Sequence, residues 1–112
     1  MKRVLIIDDE VDLCLLLTTY LSKKNYEVST AHTLIDGFKK LEIFSPDILL
    51  LDNNLPDGMG WNEADNIQRK YPDLNITLIS GYSRLNDFNT LVPRSVHILE
   101  KPISLIDIEK YL

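Results

Sequence analysis

The sequence predicts an α/β fold in which a parallel sheet of five strands is covered by helices on both faces. Two observations lead to this prediction. Short apolar runs alternate with segments whose apolar residues recur at helical spacing, and the runs themselves lack the polar alternation of half-exposed strands. Strict strand–helix alternation requires right-handed crossovers and therefore a parallel sheet. At 112 residues, the chain is expected to form one domain over residues 1–112.

Ten alternating elements make up the predicted fold. Strands are expected at 3–7, 27–31, 47–51, 75–79 and 95–99, and helices at 10–23, from Thr33 to the Ser45-Pro46 break, at 61–71, at 84–92 and from Ser104 onward. Thr33 with Asp36, and Ser104 with Asp107, have the spacing of capping boxes. The segment 84–92 has a weak apolar stripe and low helix propensity, which predicts a short or mobile helix.

Composition excludes several classes of protein. The net charge of −5, from 17 acids against 12 Lys and Arg, argues against a generic nucleic-acid surface. Apolar runs of four or five residues fall far below the ~18 needed to cross a bilayer, so we expect no membrane association and a cytoplasmic location. Cys14 is the only cysteine and is interpreted as core filler, and His32 and His97 are expected to have no catalytic role.

Polar residues follow four of the five apolar runs. Asp8 and Asp9 follow the first run, Asp52 the third, Ser80 the fourth and Lys101 the fifth. The carboxyl ends of parallel strands meet at one edge of the sheet, where ligands bind in doubly wound folds. The sequence therefore predicts a cluster of three carboxylates, a hydroxyl and an ammonium at this edge.

Such a cluster favours a cation and phosphoryl chemistry. At ~4 Å and an effective dielectric constant of ~20, each pair of like charges costs about 4 kcal/mol before screening. Hard oxygen donors with room for water suit Mg²⁺. A carboxylate beside Mg²⁺ and a lysine can act as a nucleophile and form an aspartyl phosphate, a reaction that depends mainly on positioning and charge neutralisation.

These residues resemble the receiver domain of the response regulators of two-component signal transduction systems. The resemblance extends from Lys2 to about Tyr111. It rests on four motifs: Asp8-Asp9-Glu10, Asp52-x-x-Leu55-Pro56-x-x-x-Gly60, Ser80, and Lys101-Pro102. It implies a flavodoxin-like (βα)5 fold with a doubly wound parallel sheet in the order 2-1-3-4-5, and a cis peptide bond before Pro102.

The resemblance implies a role for each residue at the sheet edge. Asp52 would accept a phosphoryl group from a sensor histidine kinase, a phosphotransfer protein or a small acyl phosphate. Asp9, Asp52 and the backbone carbonyl of Asn54 would ligate Mg²⁺, with Asp8 acting through water. Lys101 would pair first with Asp52 and then with a phosphoryl oxygen.

A second group of residues is expected to switch the partner-binding surface and to set its lifetime. Ser80 would reach the phosphoryl group and shift its strand and the loop that begins at Gly81. Receiver domains usually have Tyr or Phe where this chain has Ile98, so Ile98 or Tyr82 is expected to report the shift, or the switch is weaker. The Asn54 amide would help to orient water and Tyr82 would shield the phosphoryl group. We therefore expect slower self-dephosphorylation than in a Tyr82→Glu variant.

The partners implied are the kinase or phosphotransfer protein, an output domain or downstream protein, and a second copy of the chain in a homodimer. Direct nucleic-acid binding by this domain is not expected. The chain would not be a classical enzyme, although it would promote its own phosphorylation and dephosphorylation. Two explanations of the short last helix stay open: the chain ends early by nature, or a C-terminal output domain has been trimmed at Leu112.

Other functions fit the same scaffold less well. A phosphorylation-independent interaction module agrees with Ile98 and the weak helix, but not with the intact acids, Ser80 and Lys101. A flavin or nucleotide site needs backbone donors after the first strand, where Asp8-Asp9-Glu10 would repel phosphate. A haloacid-dehalogenase-type phosphatase needs Asp-x-Asp, which Asp52-Asn53-Asn54 does not supply.

Overall fold

A parallel sheet forms the centre of the computed structural model, which describes residues 1–81 and 97–112. The elements in chain order are β1 Arg3–Ile7, α1 Val11–Lys23, β2 Glu27–Ala31, α2 Leu34–Phe44, β3 Ile48–Asp52, β4 Asn54–Leu55, β5 Gly58–Met59, α3 Ala64–Lys70, β6 Asn75–Ser80, β7 His97–Glu100 and α4 Leu105–Ile108. Turns of 3-10 helix over Gly60–Glu63 and Glu109–Tyr111 precede α3 and follow α4.

The strand order of the main sheet is β2-β1-β3-β6-β7, and every neighbouring pair is parallel. The predicted order is confirmed, because the short hairpin β4–β5 takes two strand numbers but lies outside this sheet. Ile7 pairs with Leu51, and Ser80 pairs with Glu100. The residues that follow these pairs therefore reach the same edge of the sheet.

Two hydrophobic clusters cover the two faces of the sheet. Alternate residues of β1 point to opposite faces, with Leu5 and Ile7 in one cluster and Val4 and Ile6 in the other. Helices α1 and α4 pack on one face, and α2 and α3 pack on the other. The buried apolar helix residues are Cys14, Leu17 and Leu21 of α1, Ile108 of α4, Leu34 and Leu41 of α2, and Ala64 and Ile67 of α3. Cys14 is core filler, as predicted, and the fold is the doubly wound α/β class.

Several element boundaries differ from the predictions. The helix expected over 61–71 begins as a 3-10 turn and is α-helical only from Ala64 to Lys70, because the chain first leaves the hairpin β4–β5 at Gly60. Ser104 is at the N-cap position of α4 but makes no side-chain capping hydrogen bond. The helix predicted at 84–92 lies outside the described residues.

The first and last described residues lie close together at the amino-terminal edge of the sheet. Lys2 Nζ donates a hydrogen bond to the backbone oxygen of Leu112 at 3.3 Å. Asn75, the first residue of β6, donates its side-chain amide to the Tyr111 carbonyl at 3.0 Å. Within residues 1–81 and 97–112, no helix is long and apolar enough to span a bilayer.

Candidate functional site

Three aspartates meet at the carboxyl edge of the sheet. Asp8 follows β1, Asp9 comes next, and Asp52 ends β3, so the register of β1 and β3 places them side by side. One carboxylate oxygen from each lies within 4.8 Å of the others. Asp8 is fully buried and Asp52 is 2% exposed, whereas Asp9 faces solvent. The structure thus brings together the three acids that the sequence places at strand ends.

Lys101 follows β7 and contacts three carboxylates. Its Nζ atom lies 2.9 Å from Glu10 Oε1, 3.1 Å from Asp8 Oδ2 and 3.6 Å from Asp52 Oδ1. The sequence-based interpretation names only Asp52 as its partner, but the two shorter contacts are to Asp8 and Glu10. Sequence reasoning did not identify Glu10 as a lysine partner, because the contact joins residues 91 positions apart.

Burial and like charge favour the protonated acids. Burial raises the pKa of Asp52 to about 6; the charge of Asp8 adds to the rise, and Lys101 opposes it. Burial also raises the pKa of Asp8, although its carboxylate accepts a hydrogen bond from the Glu10 N–H at 2.9 Å and pairs with Lys101. Burial alone would lower the pKa of Lys101, but hydrogen bonds to Glu10 and Asp8 outweigh it and raise that pKa. The site therefore has an excess of negative charge whenever its acids ionise.

A cavity of about 710 Å³ opens beside these residues. Its polar wall contains Asp9, Glu10, Asp52, Asn54, Gly81 and Lys101, and its apolar wall contains Leu13, Leu16, Pro102 and Ile103. The cavity is large enough for a small ligand together with several waters.

The loop after Asp52 packs tightly against the end of β3. The Gly60 N–H donates to the Asn53 carbonyl at 2.9 Å, and the Trp61 N–H donates to Asn53 Oδ1 at 3.2 Å. A Cβ atom on Gly60 would lie 2.1 Å from the carbonyl oxygen of Asp52. This close approach explains why a glycine stands eight residues after Asp52 in the motif. Trp61 is 1% exposed and packs in the core.

Comparison with known proteins identifies the family. Residues 4–112 match the model of the response regulator receiver domain. The chain belongs to that family. This receiver domain is 30% identical over 110 residues to the response regulator receiver protein CpdR of Brucella abortus, covering 96% of this chain and 91% of CpdR. It is 29% identical over 105 residues to the response regulator protein PilR of Pseudomonas aeruginosa, covering 93% of this chain.

The receiver domain spans only 24% of the length of PilR. Among solved structures, it is similar to the beryllofluoride-activated NtrC4 receiver domain dimer, with 31% identity, a TM-score of 0.86 and complete coverage of both chains. The doubly wound fold and the receiver family are therefore established for this chain.

The acidic cluster of this receiver domain fits Mg²⁺. Its donors are hard carboxylate oxygens close enough together to share one ion, and the cavity beside them has room for the waters that Mg²⁺ retains. Asn54 lies on the cavity wall, where a backbone carbonyl could complete the set. The receiver domain family, which usually binds Mg²⁺ in an acidic pocket, agrees with this donor set.

The predicted switch residues occupy different parts of this receiver domain. Ser80 ends β6, is 5% exposed, and its carbonyl accepts a hydrogen bond from the Lys101 N–H at 2.7 Å. Gly81 lies on the cavity wall. Ile98 is half-buried and packs against the cluster that contains Ile7. Tyr82 lies outside the described residues, and the Lys101-Pro102 bond is cis, as the resemblance implied.

Two residues beneath Asp8 support its backbone. The Cys14 thiol and His32 Nδ1 both donate to the Asp8 carbonyl, at 3.4 and 2.9 Å. Burial raises the pKa of the Cys14 thiol to about 11, so it stays protonated at neutral pH. Neither group is among the residues on the cavity wall, so both hold the turn that carries the acids.

Sequence reasoning also missed the role of Asp57. This residue lies at the tip of the hairpin β4–β5, and its carboxylate accepts the N–H groups of Leu34 at 2.8 Å and Ile35 at 3.0 Å. These two hydrogen bonds lower the pKa of Asp57. The available signal was an acid in a Pro-Asp-Gly turn, but its partners lie 22 and 23 residues earlier in the chain.

Proposed function

We propose that this receiver domain is a phosphoacceptor, in which Asp52 takes a phosphoryl group from a histidine kinase or phosphotransfer protein in a Mg²⁺-dependent reaction. One observation carries this proposal: Asp52 is a buried acid between Asp8, Asp9 and Lys101 at the wall of an open cavity. A buried carboxylate with a pKa raised to about 6 and a cationic neighbour is typical of a reactive group rather than of a structural one.

The metal site would consist of Asp9, Asp52 and the backbone carbonyl of Asn54, with Asp8 acting through water. When bound, Mg²⁺ would neutralise charge on the acids and on the phosphoryl oxygens. Asp9 faces the solvent side of the cluster, and Asp8 is fully buried, which agrees with a direct and an indirect role respectively.

In the transfer step, a carboxylate oxygen of Asp52 forms a bond to phosphorus while the phosphorus–nitrogen bond of the donor phosphohistidine breaks. The bonding electron pair leaves with the imidazole. Lys101 moves from Glu10 and Asp8 to a phosphoryl oxygen, a short movement because its Nζ already lies 3.6 Å from Asp52. These charge-assisted contacts stabilise the equatorial oxygens.

Ser80 would donate its hydroxyl to another phosphoryl oxygen. A shift of Ser80 would pass to β7 through the hydrogen bond from the Lys101 N–H to the Ser80 carbonyl. Glu100 pairs with Ser80 in the sheet, and Ile98 lies two residues before Glu100. Ile98 would therefore repack when Ser80 shifts. Asn54 and Tyr82 would set the lifetime of the phosphorylated state. The domain would thus promote its own phosphorylation and dephosphorylation without turning over a separate substrate.

The surface of this domain that binds the kinase or phosphotransfer protein would be partly apolar. Leu13, Leu16 and Ile103 line the cavity, and Val11 and Leu15 of α1 are 60% and 66% exposed. The similar NtrC4 receiver domain forms a dimer, which supports a homodimer as one assembly of this chain. The same proposal includes an output domain or downstream protein as the receiver of the signal. It also includes a cytoplasmic location and no direct binding of nucleic acid by this domain.

Intact mass spectrometry after incubation with Mg²⁺ and acetyl phosphate tests the function. We expect the mass of one phosphoryl group to be gained by the wild type, and not by Asp52→Asn or by the wild type in EDTA. Asp65→Asn, which removes a carboxylate on the exposed face of α3, should still gain the group. If neither acetyl phosphate nor a cognate kinase adds a phosphoryl group, the phosphorylation-independent interaction module becomes the better reading.

A further inference from the structure

The start of α2 receives part of its capping from another segment of the chain. The first amides of a helix have no partner within the helix. Here Thr33 Oγ1 accepts the Asp36 N–H at 3.1 Å, and the carboxylate of Asp57 accepts the two preceding amides, those of Leu34 and Ile35. Asp57 therefore joins the tip of the hairpin β4–β5 to α2.

The same hairpin carries Asn54. In its register, Asn54 pairs with Met59 and Leu55 pairs with Gly58, so Asp57 lies in the turn between the paired residues. The base of the loop is fixed by the bonds from Gly60 and Trp61 to Asn53. Asn54 is exposed and lies between the fixed base and the tip held by Asp57.

Helix α2 is a firm attachment point. A Cβ atom on Gly37 would lie 2.4 Å from Ile7 Cδ1, so α2 packs directly on the last residue of β1. Asp8 and Asp9 follow Ile7 in the chain. Asp57 thus connects the Asn54 loop to the element that packs beneath the first two acids.

We infer that Asp57 is a positioning residue that holds the Asn54 carbonyl at the metal site by attaching the hairpin β4–β5 to the start of α2. The inference rests on the Mg²⁺ site of the proposed function. Mg²⁺ requires near-octahedral ligands at ~2.0–2.1 Å, so a loop held only at its base would present the Asn54 carbonyl less favourably. Residues that orient metal ligands typically contribute 10- to 100-fold in affinity.

The test compares Mg²⁺ affinity and amide hydrogen exchange in four proteins: wild type, Asp57→Asn, Asp57→Ala and Thr33→Val. Amide NMR during a Mg²⁺ titration gives the dissociation constant. Hydrogen exchange measured in EDTA shows whether the hydrogen bonds between Asp57 and the start of α2 persist without metal. Thr33→Val is the matched control, because it removes the other cap of the same helix end without touching the hairpin.

We expect Asp57→Ala to weaken Mg²⁺ binding by about tenfold, which is the lower end of the range of affinity losses found for residues that orient metal ligands. Asp57→Asn should weaken it less, since its amide oxygen still accepts one N–H. In both variants exchange at Leu34, Ile35 and the hairpin amides should accelerate. In Thr33→Val exchange should accelerate at Asp36, with Mg²⁺ affinity within twofold of wild type.

The inference is overturned if exchange at Leu34 and Ile35 accelerates in Asp57→Asn or Asp57→Ala while Mg²⁺ affinity stays at the wild-type value. It is also overturned if Thr33→Val weakens Mg²⁺ binding as much as the Asp57 variants do, since fraying of the start of α2 would then explain the loss of affinity in all three variants. A wild type that binds Mg²⁺ but is never phosphorylated would contradict the phosphoacceptor proposal and leave the role of Asp57 standing. A wild type that does not bind Mg²⁺ would overturn both.

Discussion

Asp52 lies in surroundings that oppose its ionisation. Its folded-state pKa of about 6 is above the usual 3.8, so between these values the folded chain binds more protons than the unfolded chain. The contribution of Asp52 to stability therefore falls as the pH rises from about 4 to 6, and above that range the ionised acid destabilises the fold.

Asp52→Asn should stabilise the Mg²⁺-free protein at pH 7.5. The substitution keeps the shape and removes the buried like charge, and the raised pKa sets an upper limit of about 3 kcal/mol on the gain. Urea unfolding in EDTA measures it. The gain should shrink as the pH is lowered and vanish about one unit below 3.8, where the wild-type acid is protonated in both states. A gain independent of pH would contradict the electrostatic cause.

Glu10 competes with Asp52 for Lys101. Because Glu10 makes the shortest of the three contacts of Lys101, Glu10→Gln should let the ammonium move toward Asp52 and lower the Asp52 pKa by about one unit. A carboxyl carbon NMR titration in EDTA measures this pKa. Asp12→Asn is the control, since it removes an exposed acid in the first turn of α1. An equal shift in both variants would indicate a general charge effect instead.

The site residues at strand ends could be predicted from sequence, because an apolar run fixes both the strand and the residue that follows it. Asp8, Asp52 and Lys101 were located in this way. The contacts of Glu10 with Lys101 and of Asp57 with α2 could not be predicted from sequence. They join residues far apart in the chain and depend on how loops fold over the sheet edge.

At the scale of elements, the hairpin β4–β5 and the 3-10 turn after it show where periodicity is insufficient. Apolar spacing over 61–71 predicts one helix, but the close approach of Gly60 to the end of β3 determines where the α-helical hydrogen bonding begins. The first four strands of the main sheet (β1, β2, β3 and β6) and the starts of α1 and α2 agree with the sequence to within one residue, because buried runs and a capping threonine define them locally. The start predicted for the fifth strand, at residue 95, lies outside the described residues.

Gly60→Ala should destabilise the domain by about 1–3 kcal/mol, the usual cost of overpacking. The added methyl group would lie 2.1 Å from the Asp52 carbonyl and against Leu51, so the end of β3 or the loop must move. Thermal and urea unfolding measure the loss. Gly81→Ala is the matched control, because a Cβ there meets no atom of residues 1–81 and 97–112 within 4 Å. Equal losses in the two variants would argue against the close contact as the cause.

At the scale of the whole molecule, the acidic cluster couples metal binding to folding. A ligand that binds only the folded state stabilises it by about 2.7 kcal/mol at a concentration of 100 times its dissociation constant. We expect Mg²⁺ to raise the unfolding temperature of the wild type, and Asp9→Asn to lose most of this effect. Asp73 is an exposed acid before β6, and the Asp73→Asn variant should keep the stabilisation by Mg²⁺. Equal stabilisation of both variants by Mg²⁺ would indicate nonspecific ion binding.

The meeting of Lys2 and Leu112 also affects how the domain can be handled and linked. The cavity lies at the carboxyl edge of the sheet and these two residues at the opposite edge, so the length of a strand, about 17 Å for five residues, separates them. A fluorophore, a surface tether or a fused protein attached at either end would leave the mouth of the cavity open to a docking partner. Any influence of phosphorylation on such an attachment would have to pass from the carboxyl edge of the sheet to its amino edge.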